Sequence, residues 1–96
     1  MDAARALELV YGSLDHVNGI RPPDQLITKS PDVVLVGEDG ALDSLALTTL
    51  ILALEDRVRE ATGEDLILLD DVDLDAVGSR FRTPTTIAEL IVEKLG

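Results

Sequence analysis

With Tyr11 and Phe81 as its only aromatic residues and neither tryptophan nor cysteine, this chain has to build its core from Leu, Val, Ile and Ala. Aliphatic side chains of that kind interdigitate on the faces of packed helices, so an all-α fold is expected. Without thiols, neither a disulfide nor a thiolate zinc site can hold the chain together, and the cysteine count leaves the redox compartment open. Its 96 residues suit one domain, 1–96, with a single modest core and no deep catalytic cleft.

Charge narrows the partners. The formal net charge is −11, with only eight Lys and Arg residues. Phosphate backbones are bound by clusters of basic side chains that release counterions, so nucleic acid is excluded as a partner. Acidity also keeps a small chain soluble and monomeric, and binding partners are expected to present basic patches. The start Met1-Asp2-Ala3-Ala4-Arg5 lacks the pattern of a secretory signal, and no apolar run reaches membrane-spanning length. A soluble cytoplasmic protein without stable membrane insertion is the expectation.

Apolar residues mark the helices. Leu7, Val10, Leu14 and Val17 recur at helical spacing, with Arg5, Glu8, Ser13 and Asp15 for the other side, predicting a first helix from Asp2 to Val17 ended by Asn18-Gly19. Pro22, Pro23, Pro31, Gly37 and Gly40 then deny a continuous helix up to Asp43 and describe a long connection, a length often associated with function. Within it Leu26, Ile27 and Val33-Val34-Leu35-Val36 are expected to be pinned onto the helices, a short strand at Val33–Val36 being the less favoured reading.

A second helix is predicted from Ser44 to Ala61, stopping near Gly63, with Leu47, Leu50, Ile51, Leu54 and Val58 facing the core. Its opposite face carries Leu45, Thr48, Thr49, Leu52 and Asp56, less polar than an ordinary surface helix. An acidic connector from Glu64 to Asp75 leads to a short helical stretch between Asp73 and Gly78. Thr83 then reads as an N-cap with Pro84 at the first helical position, opening a last helix through Ile87, Leu90, Ile91 and Leu95.

Ser44 is the leading site residue. The first turn of a helix offers unpaired backbone N–H groups and the positive end of the macrodipole, which together favour a phosphodiester attached there. The competing role is an ordinary helix cap; Leu47 stands where a capping box would want Glu or Gln. Asp71, Asp73 and Asp75 resemble the opening of a calcium loop, but Ala76 and Arg82 occupy the positions of its required Gly and closing Glu, so an EF-hand is rejected. His16, the one histidine, suits the C-terminal dipole of the first helix better than a metal centre, and nothing points to an enzyme.

Leu42-Asp43-Ser44-Leu45 at the head of the second helix, Ala53-Leu54-Glu55-Asp56 farther along it, and the acidic helical pattern around them resemble the acyl carrier protein family over nearly the whole chain. The resemblance implies a four-helix bundle with a long loop between helices 1 and 2 and a short third helix. It further implies that a phosphopantetheinyl transferase moves the 4′-phosphopantetheine arm of coenzyme A onto Ser44, with magnesium at the transferase, and that acyl or aminoacyl cargo rides as a thioester. Asp43 and Leu45 would flank the attachment, and the partner surface would be Asp43, Leu45, Thr48, Thr49, Leu52, Glu55 and Asp56. A loading ligase and an acyltransferase or synthase are the implied partners. Ala41 stands where many fatty-acid carriers have Gly, and Ala46 and Thr49 where acids are frequent. The Gly40-Ala41-Leu42-Asp43-Ser44 run and the Arg82-Thr83-Pro84-Thr85-Thr86-Ile87 entry are more similar to D-alanyl carrier proteins, so a specialised, free-standing carrier in lipid, polyketide or surface-glycan assembly is expected. The alternative is an unmodified helical adaptor that binds a partner through the apolar outer face of the second helix.

Overall fold

Two aspartates and a threonine fix where the helices begin. The computed structural model describes residues 2–37, 40–65 and 80–95. Helix α1 spans Ala3–Asn18, and the Asp2 carboxylate accepts the Arg5 N–H at 2.7 Å. Helix α2 spans Ser44–Thr62, and the Asp43 carboxylate accepts the Ala46 N–H at 2.7 Å. Helix α3 spans Pro84–Leu95; the Thr83 hydroxyl accepts the Thr86 N–H at 3.2 Å while the Thr86 hydroxyl accepts the Thr83 N–H at 3.1 Å, a reciprocal cap. Each such cap is worth about 1 kcal/mol, because it satisfies a donor that the helix itself cannot. At the far end of α2, Gly63 takes the left-handed conformation at φ 76° and donates its N–H to the Arg59 carbonyl at 2.8 Å.

Among the described residues the chain is all-helical, with three α-helices, a 3₁₀ turn at Pro23–Gln25 and no strand. The expected short helix between Asp73 and Gly78, and most of the acidic connector before it, lie outside the described residues. Helix α1 packs against both α2 and α3, whereas α2 and α3 make no comparable approach to one another. Val10, Leu14 and Val17 of α1, Leu50, Leu54 and Val58 of α2, and Ile87, Leu90 and Ile91 of α3 form the buried core, joined by Phe81 and by Leu35 from the loop. At about 25 cal/mol per Å² of apolar surface, these aliphatic contacts are the main source of stability.

Three sequence expectations need correction. Ser13 is fully buried, because its hydroxyl donates to the Leu9 carbonyl at 2.9 Å and so satisfies itself inside the core. Leu26 is 55% exposed, whereas Ile27 is buried. The selection is made by Asn18, whose side chain accepts the Ile27 N–H at 2.8 Å and donates to the Ile27 carbonyl at 3.1 Å. With the backbone at residue 27 clasped from α1, the neighbouring side chain turns outward. Asn18 itself belongs to the last turn of α1, which therefore runs one residue beyond its expected end.

The Val33–Val36 run forms no strand; it folds back on the residues that precede α2. Ala41 N–H donates to the Val34 carbonyl at 3.1 Å and Leu42 N–H to the Leu35 carbonyl at 2.9 Å. Leu35 N–H donates to the Arg82 carbonyl at 2.6 Å, and the Pro31 carbonyl accepts both the Thr85 N–H, at 3.3 Å, and its hydroxyl, at 2.8 Å. The long connection is thus tied at one end to α3 and at the other to the head of α2.

Gly12 has a packing role. A Cβ there would lie 2.9 Å from the Arg57 guanidinium, which rests across α1 at this point. Since the obstacle is the far end of a flexible side chain, Gly12→Ala is expected to gain most of the helix-propensity difference, about 1 kcal/mol. Thermal denaturation would show it as a midpoint raised by roughly 4–8 °C.

Candidate functional site

The head of α2 is held from three directions. The Gly40–Leu42 turn lies against the backbone of Leu35, Asp43 caps the helix, and the Arg21 guanidinium donates to the Gln25 carbonyl at 2.8 Å and to the Ala41 carbonyl at 3.4 Å. Asp43 also accepts the Leu47 N–H through its main-chain carbonyl at 2.9 Å, closing the first helical turn. Ser44 is consequently the first residue of the helix, and the capping role open to it from sequence belongs to Asp43.

That assignment has a chemical consequence. A helix uses its N-cap side chain to satisfy one first-turn donor, while the next positions still lack intrahelical acceptors. A residue at the first helical position thus sits at the positive end of the dipole with the cap already supplied by its neighbour. The chemistry of the position suits an attached phosphodiester, since a negative charge is favoured there and no capping bond from Ser44 is needed.

Around this point the sequence-predicted partner residues fall on one side of α2. Leu45 is 77% and Leu52 59% exposed; Asp43, Thr48 and Asp56 are exposed, and Thr49 and Glu55 are half-buried. The Thr49 hydroxyl donates to the Leu45 carbonyl at 3.0 Å and is thereby satisfied within its own helix. On the other side of the helix Leu50, Ile51, Leu54 and Val58 are buried and Leu47 is half-buried, as the periodicity predicts. Two exposed leucines on the stripe Leu45, Thr49, Leu52, Asp56 are therefore unexplained by packing.

The acids farther along differ in their surroundings. Partial burial pushes the Glu55 carboxyl above its ordinary value, the adjacent Asp56 charge pushes it the same way, and Arg59 opposes both. A carboxyl with a raised folded-state pKa holds its proton more tightly when folded, so its contribution to stability is fully present below the unfolded value of 4.5 and is lost as pH rises through the folded pKa. Glu55→Gln is accordingly expected to raise the denaturation midpoint slightly at neutral pH, with the advantage vanishing below pH 4.5. Chemical denaturation across pH 4 to 7 measures it; an unchanged difference through that range contradicts the assignment. Arg59 makes its own close pair with Asp65 at 2.6 Å, an exposed contact of little energetic weight.

Several residues that shape this region escaped the sequence reading. Ile20, 69% exposed, and Arg21 stand beside Asp43, Leu45 and Ala46 across an open hollow of about 330 Å³. A lone Ile between Gly19 and Arg21-Pro22-Pro23 has no periodicity to classify it, and the reach of Arg21 to Ala41 is a contact between distant parts of the chain. His16 stands in the last turn of α1 as expected and lines a second hollow, of about 370 Å³, with Leu52, Asp56 and Arg57. Among the described residues no group of three or more His, Asp or Glu side chains is arranged to hold a metal ion, and Asp71, Asp73 and Asp75 lie outside those residues. Nor, among the described residues, is any helix long and apolar enough to cross a membrane. Compared with family models, curated proteins and solved structures, the chain matches none.

Proposed function

We propose that this chain is a free-standing carrier domain of the acyl carrier type, a four-helix bundle that presents acyl or aminoacyl cargo as a thioester on a 4′-phosphopantetheine arm attached to Ser44. The observation that carries the reading is the division of labour at the head of α2: Asp43 supplies the cap, and Ser44 follows it at the first helical position.

Attachment is a phosphoryl transfer carried out by a phosphopantetheinyl transferase with magnesium. The Ser44 hydroxyl oxygen attacks a phosphorus of the coenzyme A pyrophosphate; an O–P bond forms, the bridging P–O bond breaks, the nucleotide bisphosphate departs, and the hydroxyl proton passes to a base on the transferase. No redox change is involved. When bound, the arm supplies the thiol that this cysteine-free chain lacks. The chain's own residues then do two things. The α2 dipole and its first-turn amides favour the phosphodiester anion. Leu45 and Leu52 offer apolar contact to a sequence of partners, a loading ligase and then an acyltransferase or synthase, each of which needs only weak binding because tethering keeps the cargo at high effective concentration. A specialised lipid, polyketide or surface-glycan pathway in the cytoplasm is the setting we favour.

Incubation with coenzyme A, magnesium and a promiscuous transferase is expected to add one phosphopantetheinyl group by intact mass, and Ser44→Ala is expected to abolish the addition. The two exposed leucines of α2 equally suit an unmodified adaptor that binds a partner helix. Absence of any mass change with the transferases, in a chain whose circular dichroism is helical, would decide for the adaptor.

A further inference from the structure

Two polar side chains at the end of α1 hold both limbs of the long connection. Asn18, the last residue of the helix, clasps the main chain of Ile27, and Arg21 donates to the Gln25 carbonyl at 2.8 Å and to the Ala41 carbonyl at 3.4 Å. Gln25 belongs to the outgoing limb and Ala41 to the returning one, three residues before Ser44. We propose that Arg21 is the positioning residue of the attachment site, the brace that holds the chain entering α2 in the setting at which a transferase can use the Ser44 hydroxyl; the inference rests on the carrier reading and deepens it.

Placement singles Arg21 out. From Gly19 to Leu26 every other residue is exposed, whereas Arg21 is half-buried. Its own main chain is fixed, since the Arg21 N–H donates to the Asn18 carbonyl at 3.2 Å. The chain carries 19 Asp and Glu residues and Asp43 lines the same hollow, yet among the described residues Arg21 forms no ion pair. Its guanidinium goes to two main-chain carbonyls instead.

A guanidinium suits that task because it is planar and presents its donors in a fixed fork. The shorter bond, from Nε to Gln25, fixes the plane, and Nη2 is then aimed at Ala41; both bonds are charge-assisted. The Gln25 carbonyl is a firm anchor in turn, because the Gln25 N–H closes a turn onto the Pro22 carbonyl at 2.9 Å and Asn18 holds Ile27 just beyond. Among the described residues, the other hydrogen bonds to residues 40–42 come from Val34, Leu35 and Gly37, within the same connection. Arg21 therefore ties the entry of α2 to the end of α1, the helix against which α2 packs. Orientation of a reacting hydroxyl acts on the rate within the bound complex, so a loosened entry is expected to slow transfer without weakening the encounter.

The test compares wild type with Arg21→Lys and Arg21→Met in the full chain. Lysine keeps the charge but offers one nitrogen on a flexible stem, so it does not hold two carbonyls in a fixed geometry. In the unmodified chain, hydrogen exchange at the Ala41 and Leu42 amides, which bond to Val34 and Leu35, is expected to quicken several-fold in both variants while Leu14, Leu54 and Ile91 stay unchanged. With coenzyme A, magnesium and a promiscuous transferase, the single-turnover rate of arm addition is expected to fall several-fold in both, at an unchanged half-saturating transferase concentration. Arg21→Lys at the wild-type rate overturns the proposal, because charge alone then suffices. A change confined to the half-saturating concentration also overturns it, by making Arg21 a contact of the enzyme, as does faster exchange throughout the core, which marks a general loss of stability. In each of these cases the wild-type chain still takes the arm and the carrier reading stands; a wild-type chain that takes no arm removes both.

Discussion

Phe81→Ala is expected to cost about 3–5 kcal/mol, the range for emptying a fully buried aromatic position, and to lower the thermal midpoint by more than roughly 10 °C. Phe81 is the largest completely buried side chain among the described residues and sits in the same cluster as the core residues of all three helices and Leu35. Aliphatic neighbours of fixed rotamer cannot collapse into a space the size of a benzene ring, so the loss includes a cavity term as well as transfer free energy. Small domains have only about 5–15 kcal/mol in total, so the variant is expected to be partly unfolded at physiological temperature. Phe81→Leu, which retains most of the volume, is expected to recover more than half of the loss. Urea titration followed by circular dichroism measures both, and equal stability of Phe81→Ala and wild type would mean that the ring is not packed as described.

Gly40→Ala is expected to lose about 1–3 kcal/mol, the usual consequence of forcing extra volume into a closed space. A Cβ at this position would lie 2.6 Å from the Leu35 carbonyl oxygen and 2.9 Å from the Gly37 nitrogen. Both are backbone atoms, so no side-chain rotation relieves the collision; the turn has to open. Opening it strains the bond from the Leu42 N–H to the Leu35 carbonyl and that from Ala41 to Val34, which position the residues leading into Asp43. The consequence is thus expected to appear as lost stability and, under the carrier function proposed above, as slower modification of Ser44 by a transferase at a temperature where the chain is still folded. Gly12→Ala, which meets only a mobile guanidinium, is the matched control and is expected to move stability in the opposite direction.

Much of the fold is legible in the sequence because its helices carry their own punctuation. The spacing of Val10, Leu14 and Val17, the Thr83-Pro84 entry and the stop at Gly63 are local signals, and the structure follows them within a residue or two. The errors arise where a local rule meets a distant partner. Ser13 reads as polar and outward, but a hydroxyl that bonds its own helix carbonyl can enter a core. Leu26 and Ile27 are equivalent as letters; Asn18, nine residues earlier, decides between them. At the site, Ser44 and the exposed stripe of α2 are readable from helical periodicity. The cap at Asp43 and the brace from Arg21 are not, because each depends on how the long connection folds back on the helices.

A single central helix carries the other two. Both α2 and α3 lean on α1 and make no comparable seam with each other. The outward stripe of α2 therefore meets no seam with α3, although the inward faces of both helices share one core with α1, Phe81 and Leu35. The face that α2 exposes can thus change with little consequence for α3, whereas a change on the buried face of α1 is felt by both of its neighbours.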